Sequence, residues 1–346
     1  MVVYLLDLVN SLRTGCISLR SYHNVELDID TISVGNNAVV VRCYLDNNTT
    51  PMSLKCYLTP HHNAGFIYGD AYHQQEVEIY SIDGQCHLID AVITPWVEGK
   101  SLDQLLGAAS SDYPSLSRTF DRLALDILRA PGAHGDIKPE NIIVHHNATM
   151  ELVDWDSAWN EEINDYGADE CGTPAYRHPL RGKESYNKSI DDYPIALIST
   201  MLSTLAHDRA TFEPLLTADK RLFTPRLILQ GRDEVYTRAL AMLERCDANH
   251  YNIAKLLSNT TLSLPRLPDY LLNSTKNDST ERRTATIVQP SHRDKIGRQR
   301  LAYRRRPRLR QRHSLCNITR KQMCSPHLVG DMLMSIDMVR QTHKVD

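Results

Sequence analysis

The residues best suited to chemistry lie in one run, Ala133-His134-Gly135-Asp136-Ile137-Lys138-Pro139-Glu140-Asn141, followed at once by the apolar Ile142-Ile143-Val144. The run reads as a loop feeding a buried strand. An Asp, a Lys two residues on and an Asn three beyond that meet the needs of metal-dependent phosphoryl transfer. Asp136 can orient a hydroxyl or accept its proton, Lys138 can neutralise charge on a moving phosphoryl group, and Asn141 offers an amide oxygen to Mg²⁺. Pro139 stiffens the turn, so the three groups are held. Ten residues past Val144, the short apolar run ending Leu152-Val153 is closed by Asp154, placed to hold a second edge of a metal site.

These two segments closely resemble the H-R-D-x-K-x-x-N and D-F-G motifs of the protein-kinase superfamily, and within it the bacterial eukaryotic-like (Hanks-type) Ser/Thr kinases. Gly135 stands where many of those kinases carry the Arg that meets an activation-segment phosphate, which implies activity independent of such phosphorylation. Trp155 keeps an aromatic plug, expected to pack under the family's helix C. Asp156 replaces the flexible glycine of D-F-G and is open to two readings, a carboxylate near the metal or a solvated turn residue. Cys171-Gly172-Thr173-Pro174-Ala175-Tyr176-Arg177-His178-Pro179 resembles G-T-x-x-Y-x-A-P-E, which implies that Thr173 bridges Asp136 and Lys138. Leu180 stands in place of the Glu whose buried ion pair anchors that segment in the family. Asp191, in Asp191-Asp192-Tyr193, matches the aspartate that caps catalytic-loop N–H groups.

Those groups need elements to position them. Val25 to Tyr57 reads as a strand meander containing Ser33-Val34-Gly35-Asn36-Asn37-Ala38-Val39-Val40, which resembles a degraded phosphate-covering loop with Gly35 and Val40 at family positions. Lys55 stands in the place of the V-A-I-K lysine, although Leu54 and Cys56 on either side leave its direction open to alternation alone. His73 to Tyr80 has helical character, and Glu76 resembles the helix-C glutamate that fixes that lysine on the ATP phosphates, with Glu78 as its competitor. Cys86 to Val97 is strand-like and leads into a stretch resembling the inter-lobe hinge. There the Pro95 carbonyl and both backbone groups of Val97 would meet the adenine edge, with Thr94 at the back of the pocket. Ser101 caps a helix with Asp103 in its first turn, Ser115 to Ala130 forms a second, and Leu197 to Ala206 reads as fully buried.

The chain has 346 residues and a net charge of −3, with 42% hydrophobic residues, which suits a packed core. No apolar run approaches the roughly 18 residues of a membrane span, and the N-terminal apolar stretch is broken by Asp7 and lacks a basic lead. Eight Cys without a C-x-x-C pair suit a reducing cytoplasm. From Lys276 to Pro326, 15 Lys/Arg stand against three acidic residues, so the rest of the chain carries about −15. The basic run Tyr303 to Arg312 reads as a disordered tail, with sequence-independent contact to nucleic acid or phosphate as its functional alternative. His313, Cys316, Cys324 and His327 offer zinc-capable side chains at poor spacing, and Val329 to Arg340 could form one amphipathic helix.

The expectation is an α+β, two-lobed kinase-like fold. Residues 1–24 lead in, 25–97 form the small antiparallel-sheet lobe and hinge, 98–268 the larger helical lobe, and 269–346 the basic tail. The resemblance implies a cytoplasmic protein serine/threonine kinase using ATP and Mg²⁺ on protein substrates. Its rivals are a small-molecule kinase of the aminoglycoside/choline type and an ATP-binding scaffold without transfer.

Overall fold

Strands with every second residue apolar must bury one face, and the strands between Ile17 and Pro95 do so against one helix. The computed structural model describes residues 5–276, apart from 82–83, 164–166 and 168–169. Helix α1 (Leu5–Thr14) precedes β1 (Ile17–Leu19), β2 (Val25–Val34), β3 (Ala38–Leu45) and β4 (Met52–Tyr57). A five-residue helix, α2 (Ala64–Tyr68), separates β4 from β5 (Tyr72–Tyr80) and β6 (Cys86–Pro95). The six strands form one antiparallel sheet in the order β1-β5-β6-β4-β3-β2. Val39, Val41, Cys43, Leu54, Cys56, Val77, Ile79, Ala91 and Ile93 point to one face and close a core with Leu8 and Leu12 of α1. Period two sends their neighbours to the other face, and the register Val40↔Lys55↔Val92 forms a row across it. That settles the direction of Lys55: Leu54 and Cys56 take the α1 side, so the lysine shares the opposite face with Tyr57.

Past the sheet the chain is mostly helical. In order come β7 (Lys100–Ser101), α3 (Leu102–Leu105), α4 (Tyr113–Arg129), β8 (Ile142–Val144) and β9 (Met150–Leu152). Then follow α5 (Asp192–His207), α6 (Arg209–Phe212), α7 (Pro225–Leu229), α8 (Glu234–Cys246), α9 (Ala248–Leu256) and α10 (Leu267–Lys276). β7, β8 and β9 pair as a small antiparallel sheet. Ser101 closes a reciprocal capping box with Gln104, as its residue type predicts. In α5 every residue from Asp192 to Leu205 is buried. Three of its polar members are paired: Thr200 and Thr204 donate to carbonyls one turn back, and Ser199 donates to Asp121 of α4, while the buried Tyr193 hydroxyl has no hydrogen-bond partner among the described residues. The architecture is mixed α+β, an antiparallel sheet N-terminal to a helical region. No helix among the described residues is long and apolar enough to cross a membrane.

Two expectations are corrected. Residues 73–80 are strand, not helix: Val77 and Ile79 alternate into the α1 core, and this β-branched alternation outweighs the helical preference of the Gln and Glu residues before it. The β5–β6 register shifts between His73 and Val77, where Gln75 takes a left-handed backbone (φ 51). The folded region also runs past residue 268, because α10 buries Leu267 and Leu271 and continues to Lys276. The expectations for the basic run, the His/Cys pairs and the terminal helix lie outside the described residues.

Candidate active site

The loop His134–Asn141 is held from below by a buried carboxylate. Asp191, 1% exposed, accepts the His134 N–H at 2.5 Å and the Gly135 N–H at 2.8 Å. Burial pushes its pKa up, against the pull of those two N–H groups. The His134 ring donates from Nε2 to the Val153 carbonyl (2.9 Å) and accepts the Asp136 N–H at Nδ1 (3.3 Å), which joins the loop to the Asp154 segment. Gly135 has φ +85, and a Cβ there would lie 2.0 Å from the Ser157 carbonyl oxygen, so no side chain fits. Its carbonyl accepts from the buried guanidinium of Arg181 at 2.9 Å.

On this base stand the three groups of interest. Asp136 accepts the Thr173 N–H at 2.6 Å on Oδ1 and lies 2.9 Å from the Lys138 ammonium on Oδ2. Lys138 also donates to Thr173 Oγ1 at 3.2 Å. Burial opposes the charge on Lys138, but Asp136 outweighs it and holds the pKa above the ordinary lysine value. Thr173, 37 residues after Asp136, thus touches both partners. Gly172 permits this approach: it has φ +73, and a Cβ would meet the Gly135 carbonyl oxygen at 2.6 Å. Asn141 donates its amide NH₂ to the Asp136 carbonyl at 2.9 Å, which leaves Oδ1 as the atom for a cation.

Lys55 reaches this region from the sheet. It ion-pairs with Asp154, and with Asp156 at 2.6 Å. Burial opposes its charge, but the two carboxylates outweigh that and raise its pKa above the ordinary value. Asp154 sits in a left-handed backbone (φ 67) that turns its carboxylate to Lys55. Its surroundings disfavour ionisation, but Lys55, His134 and Lys138 together hold its pKa below the usual range. Asn141 and Asp154 supply one amide and one carboxylate oxygen. This is a hard donor set that suits Mg²⁺ when phosphate oxygens complete the shell. Among the described residues no three His, Cys, Asp or Glu side chains cluster as a metal site on their own.

Glu76 is not part of this group. It is buried on β5 and accepts from Ser21, at 2.7 Å from the backbone N–H and 2.8 Å from the hydroxyl, where it ties the chain after β1 to the sheet. Glu78 is also elsewhere, bonded to Ser18 and Tyr80. The partner of Lys55 that sequence reasoning missed is Asp156, and the available signal was the Asp-x-Asp spacing. Asp156 is no solvated turn residue: its side chain is 16% exposed, and Tyr57 and Tyr68 donate to its Oδ1 at 2.8 and 2.7 Å. Trp155, expected under a helix at residues 73–80, packs instead against the cluster that includes Tyr57, Val92 and the α2 residues Ala64 and Tyr68, and its ring lies tilted by 54° against that of His134, centroids 4.7 Å apart.

The remaining candidates lie at the edges. Gly35 closes the β2–β3 hairpin by donating its N–H to the Ala38 carbonyl (2.9 Å), and Asn37 of that turn hydrogen-bonds Glu170. Val40 lies beside Lys55 in register. Thr94 and Pro95 end β6 opposite Ser53 and Met52. Glu98 anchors the following turn through Arg42 at 3.1 Å and through its carbonyl, which accepts from His145 at 2.8 Å. Val97 makes no backbone–backbone hydrogen bond among those of the described loops and turns. Leu180 is 55% exposed. Compared with models of known protein families and with curated proteins, the chain matches none.

Proposed function

We propose that the chain is an ATP-dependent protein serine/threonine kinase. In this reading the antiparallel sheet is the small lobe, the helical region is the large lobe, and the hinge lies near Trp96. One observation carries it. Asp136, Lys138 and Thr173 converge although 35 residues separate the last two, and a buried aspartate 55 residues beyond Asp136 holds their loop rigid. Such a held carboxylate–ammonium pair does what phosphoryl transfer asks of a protein, positioning and charge stabilisation.

The substrate hydroxyl donates to Asp136 and attacks the γ-phosphorus. The hydroxyl proton passes to Asp136 while the bond from the γ-phosphorus to the bridging oxygen of ADP breaks. Lys138, fixed by Thr173, meets charge on the moving phosphoryl oxygens, and Lys55 meets the remaining phosphates. Bound Mg²⁺, held by Asn141 and Asp154, would supply further neutralisation of phosphate charge. Val97 would receive the adenine edge with both backbone groups, beside Pro95 and Thr94. The space that an Arg at position 135 needs is filled by Ser157, and Arg181 caps the loop carbonyl. This supports a site that works without a phosphate on the segment before Thr173. A soluble, cytoplasmic setting accords with this reading and with the absence of a C-x-x-C pair.

The test is transfer of labelled γ-phosphate from Mg·ATP by the purified chain and by Asp136→Asn, offered itself, a basic protein and an aminoglycoside/choline mixture. Label on protein, lost in the variant, is the expected result. Label on the small molecules alone would move the activity to that acceptor class, and no label on any acceptor would refute the reading.

A further inference from the structure

The lysine assigned to the ATP phosphates needs a carboxylate to hold it, and Glu76 is turned away to Ser21. We propose that Asp156 is the positioning residue for Lys55, and that Tyr57 and Tyr68 aim it. The inference rests on the reading of Lys55 as a phosphate-binding lysine and names what orients it.

The geometry divides the two oxygens of Asp156 between two tasks. Oδ2 lies 2.6 Å from Lys55 Nζ, and Oδ1 accepts the Tyr57 hydroxyl at 2.8 Å and the Tyr68 hydroxyl at 2.7 Å. Two phenol donors fix the plane of the carboxylate, so the ion pair has one direction. Tyr57 comes from the lysine's own strand, two residues along on the same face. Tyr68 comes from α2, the short helix between β4 and β5. α2 offers no Asp or Glu to the lysine, and its phenol acts through Asp156 instead. The Asp156 side chain is 16% exposed, against 41% for Asp154. The two carboxylates therefore differ in role: Asp156 is enclosed and structural to the lysine, while Asp154 stays accessible for a cation. Asp156 has no room to leave the lysine without stranding two buried phenols.

Two measurements on the full chain test this. The first is a nucleotide-free double-mutant cycle in melting temperature. Lys55→Met and Asp156→Asn should be non-additive by about 3 °C or more, whereas Lys55→Met and Glu76→Gln should add within about 1 °C. The second compares ATP with adenosine by calorimetry. Asp156→Asn should weaken ATP binding about tenfold and leave adenosine within about twofold, because only ATP carries phosphates for Lys55. Tyr68→Phe removes one aiming donor while keeping the ion pair, and should show a smaller ATP-specific loss of about two- to fivefold. Glu76→Gln should change neither ligand. Additivity of Lys55 with Asp156, equal losses for ATP and adenosine, or an ATP-specific loss in Glu76→Gln would each overturn the proposal. If the wild-type chain binds ATP no more tightly than adenosine, the functional reading falls, and the cycle still judges whether Asp156 holds Lys55.

Discussion

His250 should make the stability of the helical region depend on pH in a direction opposite to acid denaturation. Its ring lies between two carboxylates, with Nε2 at 2.9 Å from Asp121 and Nδ1 at 2.7 Å from Asp247. Asp121 is 2% exposed and also accepts from Ser199 and Ser274, so one carboxylate joins α4, α5, α9 and α10. His207 contacts Asp247 from the outer side at 3.1 Å. Burial opposes a charge on His250, but the hydrogen bonds to Asp121 and Asp247 outweigh it and raise its pKa from 6.5 to about 10. Below pH 6.5 the ring is charged in both folded and unfolded chains, and its contribution is complete. Above 6.5 the unfolded chain loses the proton first, so stability falls until the folded ring titrates near 10. At about 1.4 kcal/mol per pH unit the loss between pH 6.5 and 10 is up to about 5 kcal/mol, burial of the ring being already included in the raised pKa. That corresponds to at most about 10–20 °C in melting temperature. His250→Gln removes the charge and leaves Asp121 buried without a cation, a loss of about 3–5 kcal/mol at pH 6. The difference between wild type and variant, which cancels other titrating groups, should shrink steadily from pH 6.5 to 10 in scanning calorimetry. A difference constant across that range would refute the reasoning.

Three further outcomes follow from the geometry. Gly135→Ala must bring a Cβ against the Ser157 carbonyl in a left-handed backbone; it should lose about 3 kcal/mol or more in urea unfolding, and wild-type stability would contradict the fit described. Lys55→Met should lower phosphoryl transfer about 10²- to 10³-fold while the chain remains folded by circular dichroism; retention of activity would remove Lys55 from the phosphate site. Ser101→Ala opens the capping box of α3 and should cost about 1 kcal/mol in urea unfolding, with ATP affinity unchanged in calorimetry.

Sequence patterns made local features legible. The alternation in Ala38–Leu45 writes a strand, Ser101 announces a helix start, and the small polar residues of α5 suit a helix buried all round. The loop around Asp136 stood out because its polar groups are bracketed by apolar runs at fixed spacing, and Thr173 and Asp191 do lie against it. What stayed hidden depends on partners distant in the chain. Glu76 carried a family-like position, yet Val77 and Ile79 after it made the segment a strand, and the strand delivered the carboxylate to Ser21. Asp156 stayed open between a carboxylate near the metal and a turn residue because its partners, Lys55, Tyr57 and Tyr68, lie about 90 to 100 residues earlier and reach it only once the sheet faces the loop. The Asp121–His250 tie joins helices 129 residues apart, and no local spacing announces it. The end of α10 was hidden by its polar residues Asn273 to Lys276, although Leu267 and Leu271, one turn apart, carry its buried face.

The central claim is that Asp136 takes the proton of a protein hydroxyl as the γ-phosphoryl group moves. It is tested most directly by labelled γ-phosphate transfer from Mg·ATP, comparing the wild-type chain with Asp136→Asn at matched folding and matched ATP affinity. The account predicts label on Ser or Thr of a protein acceptor by the wild type, and a rate reduced about 10²- to 10⁴-fold in the variant. Transfer by Asp136→Asn at the wild-type rate, or ATP binding with no transfer by the wild type to any acceptor, would contradict it.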